Sequence, residues 1–142
     1  MNATPKLQHV AHRLMIQQVG TSRDPDSVAS AAVTVYTQLL STLSHLLGEL
    51  GSAALLRRSL RLTETAFPCY TEVRRAGADG LLQAVGVCLR RQVPDVALEA
   101  SIALLAAYLE LLATLIGERL TRQLLQEAWP ELFMSLSEKR QG

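Results

Sequence analysis

Aromatic side chains are scarce in this sequence: Phe, Trp and Tyr make up 4% of it, although 49% of its residues are hydrophobic. The core must therefore be built from Leu, Ala, Val and Ile, and leucine and alanine are strong helix formers. No segment shows the alternation of apolar and polar residues between hairpin turns that predicts strands. We therefore expect an all-helical fold, and the length fits one domain spanning residues 1–142.

Charged side chains are also sparse in this chain. They make up 19% of it, below the ~25% that is typical of soluble domains, so we expect a partner to cover part of the surface. The net charge is only +1. Because counterion release requires a basic surface that engages many phosphates, this charge excludes nucleic-acid binding through bulk electrostatics.

Motifs that would carry catalysis or hold a metal are missing. Gly48 and Gly51 lack the following Lys and hydroxyl residue of a phosphate-binding loop. The sequence contains neither a G-x-S-x-G elbow nor a Cys-x-x-Cys pair. His9 and His12 have a spacing that suits a shared metal ion, but no third ligand accompanies them. We therefore expect a non-enzymatic protein without a metal or cofactor.

The cysteine content and the apolar segments bear on the cellular compartment. Cys69 and Cys88 are too few for a disulfide framework, so we expect both to be reduced. Residues 1–14 lack the apolar run of a secretory signal. The apolar segment 101–117 is shorter than a span of ~20 residues and contains Glu110. These features predict a cytoplasmic protein with no membrane span.

Helical periodicity, interrupted by proline and glycine, predicts six helices and a short seventh. Asp24 is expected to cap the second helix and Gly20 to end the first. The segment 69–79 is predicted to be a connector because Gly77 and Gly80 give it conformational freedom. The predicted helices cover residues 5–19, 25–47, 53–66, 81–92, 95–116, 117–129 and 131–138.

The two halves of the chain resemble each other at a constant offset of 69 residues. We predict two three-helix units, about 5–68 and 80–133, related by a pseudo-two-fold axis. The alternative is a coincidence between two leucine-rich helices, whose apolar periodicities align easily. The matching pairs are Pro25 and Pro94, Asp26 and Asp95, Leu43 and Leu112, Leu46 and Leu115, Leu47 and Ile116, and Gly48 and Gly117.

Arginines are concentrated in the middle of the chain, where residues 51–92 contain seven arginines and three acids. Arg57 and Arg61 are one helical turn apart, a spacing that lets two guanidinium groups hold one phosphate or carboxylate. We predict that Arg57, Arg58 and Arg61 form an anion-binding surface.

Pairing with acids is the alternative role of these arginines. The second half of the chain offers acids such as Glu99 and Glu110 as partners, and the arginines could otherwise extend along the surface with their charged ends in water. Glu110 falls on a helix otherwise built of Leu, Ala, Ile and Tyr, and such a carboxylate must be paired, protonated or oriented to water. We expect it to pair with an arginine of the third or fourth helix.

The second helix carries a polar stripe without charge, formed by Ser30, Thr34, Gln38 and Ser41. The outer face of a solvated helix normally shows Lys and Glu, so this pattern favours an interface. We predict a homodimer in which the stripe faces its own copy across a two-fold axis. The alternative is an intrachain contact, with the third or sixth helix covering the stripe.

Two segments, LGELGSAALLRRSLRLTETAFP and LLATLIGERLTRQLLQEAWPEL, resemble small, uncharacterised all-helical proteins of bacteria. The resemblance covers about residues 39–132 and implies a helical fold. It implies no activity, cofactor or binding residue.

Three functional hypotheses follow from these patterns. The first is a non-enzymatic intracellular interaction or regulatory module that associates with itself or with a partner protein through its helices. The second is a sensor that binds an anionic metabolite or nucleotide at the arginine-lined surface. An enzyme is the third, because active sites can be assembled from residues that form no sequence motif.

Overall fold

The computed structural model of the protein describes residues 6–21, 24–75 and 80–130. These residues form six α-helices and contain no strand, which confirms the all-helical fold. The predicted seventh helix, 131–138, lies outside the described residues. The helices are α1 (Leu7–Val19), α2 (Pro25–Thr63), α3 (Cys69–Arg75), α4 (Leu81–Arg90), α5 (Pro94–Ile116) and α6 (Glu118–Ala128).

Helix α2 begins with the cap and proline that the sequence predicts. Asp24 Oδ1 accepts a hydrogen bond of 2.8 Å from the backbone N–H of Ser27, and Pro25 is the first helical residue. Gly20 ends α1 with a φ of 73°. The predicted start of α1, at residues 4–5, lies outside the described residues.

A glycine bends each of the two long helical segments. Gly48 has a φ of 78° and a ψ of 163°, and it divides α2 into an N-terminal arm (25–47) and a C-terminal arm (49–63). Gly117 separates α5 from α6 with a φ of 95° and a ψ of 150°. This backbone region is essentially restricted to glycine. The two glycines therefore fix the bends at the positions that the sequence predicts.

Hydrogen bonds from two buried tyrosines reveal the relative direction of α2 and α5. Tyr36, in the N-terminal arm, donates to the carbonyl of Ser101 at 2.6 Å. Tyr108 donates to the carbonyl of Ser52, just beyond the bend in α2, at 3.2 Å. Residue numbers thus increase in the same direction along both helices. The N-terminal arm and α5 run parallel, and both glycine bends lie at the same end of the molecule.

The first helix of each predicted unit packs mainly on the long helix of the other unit. Helix α1 contacts α5 more extensively than α2, and α4 contacts α2 more extensively than α5. Helix α5 is central, with Leu104, Leu105 and Leu109 fully buried. This packing of each unit's first helix on the other unit is compatible with a pseudo-two-fold arrangement of the two units, which stays a prediction.

The region between α2 and α4 differs from the prediction in two respects. Cys69–Arg75, expected to be part of a connector, forms α3. The structure also joins Cys69 and Cys88 in a disulfide that links α3 to α4, so the prediction of reduced cysteines is wrong here. Their Cα atoms are 5.9 Å apart, within the range that a disulfide spans. A sequence separation of 19 residues gives no sign of this proximity.

Candidate functional site

The three predicted arginines lie on the solvent-facing side of the C-terminal arm. Arg57, Arg58 and Arg61 are all exposed, while Leu56 and Leu60 on the opposite side are buried in the core. The helical period produces this separation, because residues three and four apart share a face. The buried leucines therefore anchor the helix and turn the guanidinium groups outward.

Helix α3 adds a fourth arginine that the predicted site does not include. Arg74 lies beside Arg57, Arg58 and Arg61, and together with Leu62 and Thr65 these side chains line an open surface depression. The sequence signal was the local excess of arginine, which includes Arg74. The sequence could not show that α3 folds back against the C-terminal arm. We call these four arginines the arginine face.

Among the described residues, Glu64 is the carboxylate that pairs with the arginine face. Arg74 Nε donates to Glu64 Oε2 at 3.1 Å. This hydrogen bond lowers the pKa of Glu64, a hydrogen bond from Thr71 and the charge of Arg61 act in the same direction, and partial burial opposes them. Glu64 is therefore ionised at neutral pH and offsets the charge of Arg74, whereas Arg57, Arg58 and Arg61 form no direct ion pair among the described residues.

Pairing with Glu99 or Glu110 does not occur among the described residues. Arg57, Arg58 and Arg61 form no ion pair there. Glu110 is exposed to solvent, so the expected pairing with an arginine is wrong and the alternative, a carboxylate oriented to water, is the one observed. The helical period again explains it, because Glu110 falls on a side of α5 that no other described helix covers.

The polar stripe of α2 also reaches the surface, with Ser30, Thr34, Gln38 and Ser41 exposed. Its hydrogen-bonding groups are partly used within the chain. Thr34 Oγ1 donates to the carbonyl of Ser30 at 2.8 Å. Gln38 Nε2 donates to the carbonyl of Ala128, at the end of α6, at 2.8 Å. Gln38 thus makes the intrachain contact with the sixth helix that was the alternative to a dimer interface.

The histidines lie apart from other metal-ligating groups. His9 and His12 are exposed on α1, and His45 is exposed on α2. Within residues 6–21, 24–75 and 80–130, no three His, Cys, Asp or Glu side chains come together in a group that could hold a metal ion.

A second depression lies between α3 and α4, beside the disulfide. Its volume is about 310 Å³, and its lining is mostly apolar. Glu72 and Arg91 contribute the charged groups of this lining.

Known protein families, curated proteins and solved structures were compared with this chain, and none of them matches it.

Helices α2 and α5 are long and apolar enough to cross a membrane by length and composition. The core helix of a soluble protein passes the same test, and half of the apolar window of α5 is buried within the fold. Helix α2 bends at Gly48. The length and composition of these two helices are therefore weak support for a membrane span.

Proposed function

We propose that the protein is a non-enzymatic regulatory module that recognises an anionic ligand at the arginine face. The observation that carries this proposal is that Arg57, Arg58 and Arg61 are exposed on one helix face without an ion pair among the described residues. Unpaired guanidinium groups that share a depression favour a phosphate or carboxylate ligand, because each guanidinium can donate two parallel hydrogen bonds to such a group.

The charge distribution supports recognition at one site rather than binding over the whole surface. The net charge of the chain is +1, so there is no general attraction for polyanions. Four arginines share one depression, and only Arg74 among them is ion-paired within the described residues, which creates a local positive potential. A ligand with one or two phosphate or carboxylate groups fits this balance.

Changing Arg57 and Arg61 together to Ala tests the proposal. Pyrophosphate, citrate and ATP are the probes, and the melting temperature is the measurement. A ligand at one hundred times its Kd adds about 2.7 kcal/mol of stability, which corresponds to a rise of roughly 5–10 °C for a domain of this size. We expect at least one probe to stabilise the unmodified protein in this way and to leave the double variant unchanged.

A matched control removes the same charge elsewhere. Arg91 and Arg119 are exposed and lie outside the arginine face, so their double replacement by Ala should keep the ligand response. Surface substitutions change stability by about 0.5 kcal/mol or less, and both double variants should therefore fold. The proposal is wrong if no probe stabilises the unmodified protein. Loss of folding in the Arg57 and Arg61 variant would show that these side chains are structural instead.

Self-association through the polar stripe is the second candidate function. It is favoured by the absence of any formally charged side chain between Asp26 and Glu49 on an exposed helix. The hydrogen bond from Gln38 to α6 occupies one position of the stripe, whereas the side chains of Ser30, Thr34 and Ser41 form no hydrogen bond to another helix among the described residues.

Changing Thr34 and Ser41 to Glu tests self-association. Carboxylates facing their own copies across a two-fold axis repel each other, so a dimer should dissociate into folded monomers. Light scattering at micromolar concentration measures the mass, and circular dichroism checks the helix content. Gln17 and Gln18, exposed on α1, provide the control pair for Glu substitution. A monomeric mass for the unmodified protein would rule the dimer out.

The cytoplasmic location is part of the same proposal, with neither α2 nor α5 crossing a membrane. The bend of α2 and the packing of α5 against α1, α2 and α6 support it. The disulfide counts against a reducing compartment. Measuring whether Cys69 and Cys88 are oxidised or reduced in cells therefore tests the cytoplasmic location.

A further inference from the structure

The arginine face belongs to a longer exposed surface on the C-terminal arm. Apart from Glu49, the exposed residues of this arm fall on one side of the helix, which spans about 22 Å at 1.5 Å per residue, and Thr65 follows just beyond its end. The surface is formed by Leu50, Gly51, Ala54, Arg57, Arg58, Arg61, Leu62 and Thr65. No described helix covers it.

Two leucines on this surface are unusually accessible. Leu50 is 84% exposed and Leu62 is 57% exposed. They lie at opposite ends of the run, with the small residues Gly51 and Ala54 leaving space beside Leu50. Single exposed leucines are common on protein surfaces. Here both share a helix face with three arginines that form no ion pair within the described part of the chain, so the surface combines exposed apolar groups with positive charge.

We propose that this surface binds an acidic amphipathic helix of a partner protein, laid along the C-terminal arm. The inference rests on the proposed function, because the acidic side chains of the partner are the anions that Arg57, Arg58 and Arg61 hold. Charge complementarity selects the acids. Apolar side chains of the same helix, spaced by three and four residues, would cover Leu50 and Leu62, as in other helix-in-groove complexes.

The spacing of the surface argues against its other potential occupants. Leu50 precedes Arg57 by seven residues, about 10 Å along the helix, so a small anion held by the arginines would leave Leu50 exposed. A nucleic acid would gain little from the leucines, and the surface carries no aromatic side chain on which a base could stack. An acidic amphipathic helix would contact both the arginines and the leucines of this surface.

Three synthetic peptides of about 18 residues test the proposal by fluorescence anisotropy. The first has an alanine background with Glu pairs and Leu residues at helical spacing on one face. The second replaces its Leu residues with Ser, and the third replaces its Glu residues with Gln. We expect the first peptide to bind at least tenfold more tightly than the second, and the third not to bind measurably.

Protein variants separate the two parts of the surface. Changing Leu50 and Leu62 to Ser should weaken the first peptide at least tenfold and keep the thermal response to the small-anion probes. Changing Arg57 and Arg61 to Ala should abolish both. Leu115, 63% exposed and on α5, provides a control, since its replacement by Ser should leave peptide binding unchanged.

The outcomes distinguish this inference from the proposed function. If small anions bind at the arginine face but the first and second peptides bind equally, the acidic-helix partner is wrong and the anion site stands. If no probe or peptide binds, both are wrong. Self-association that the Leu50 and Leu62 variant abolishes would identify a second copy of the chain as the occupant and overturn the partner helix. Tighter binding to anionic lipid vesicles than to the first peptide would also overturn it.

Discussion

Raising the pH from 7 to 11 is expected to lower the free energy of unfolding by about 4 kcal/mol through the tyrosines alone, about 1.4 kcal/mol for each of the three. Tyr36, Tyr70 and Tyr108 are all at most 1% exposed. Burial raises the pKa of each hydroxyl above its ordinary value near 10. The negative charge that Tyr70 carries once it is ionised raises the pKa of Tyr36 further.

The direction of this effect follows from which state releases its protons first. The unfolded chain ionises its tyrosines near pH 10, whereas the folded protein keeps them protonated to higher pH. Their contribution is therefore complete below pH 10 and is lost as the pH rises toward the folded-state pKa. Each hydroxyl also donates to a backbone carbonyl of a neighbouring segment, as Tyr70 does to Ala100 at 2.7 Å, and ionisation would remove that donor.

Absorbance at 295 nm and far-ultraviolet circular dichroism, recorded on the same samples, check this prediction. Tyrosinate should form only as helicity is lost, in one cooperative step. Replacing Tyr70 with Phe should reduce the alkaline loss by about one third. The variant should also lose about 1 kcal/mol at neutral pH, because one buried hydrogen bond is gone. Tyrosine ionisation in the fully helical protein near pH 10 would contradict the buried positions.

Replacing both Cys69 and Cys88 with Ser is expected to lower the free energy of unfolding by about 3 kcal/mol. The disulfide closes a loop with a sequence separation of 19 residues, and a crosslink of this length reduces the entropy of the unfolded chain by roughly that amount. It also holds α3, whose seven residues are too few for a stable isolated helix. Urea unfolding provides the measurement.

The reduced protein provides an internal comparison for the cysteine variant. Dithiothreitol should lower the urea midpoint of the unmodified protein by roughly 1–3 M, given the usual slopes for small proteins. The double variant should not respond to it. Equal midpoints for the oxidised and reduced protein would show that Cys69 and Cys88 do not pair in solution, in agreement with the sequence-based expectation.

The helical class and several element boundaries were predictable because they depend on interactions between residues close in sequence. Asp24 caps α2 through a side chain three residues from its donor. Gly48 and Gly117 bend the chain because few other residues tolerate their backbone angles. Helix capping and the backbone preference of glycine both depend on residues close in sequence, so the sequence is sufficient to predict them.

The candidate site was only partly predictable. Helical spacing placed Arg57 and Arg61 on one face, and that is correct. Whether these arginines meet acids depends on how α5 is oriented, which apolar periodicity does not specify for a helix with few polar residues. The same ambiguity led to a buried Glu110 in the prediction, although the residue is exposed.

The sequence by itself determined the helical class, the Asp24 cap, the two glycine bends and the spacing of the arginines, all of which follow from backbone sterics, local hydrogen bonding and the 3.6-residue period. Only the tertiary structure decided which distant residues meet. It placed Arg74 beside the other arginines, paired Cys69 with Cys88, and turned Gln38 toward the end of α6. Such contacts depend on the packing of whole helices against one another, and many arrangements of apolar faces satisfy the same sequence pattern.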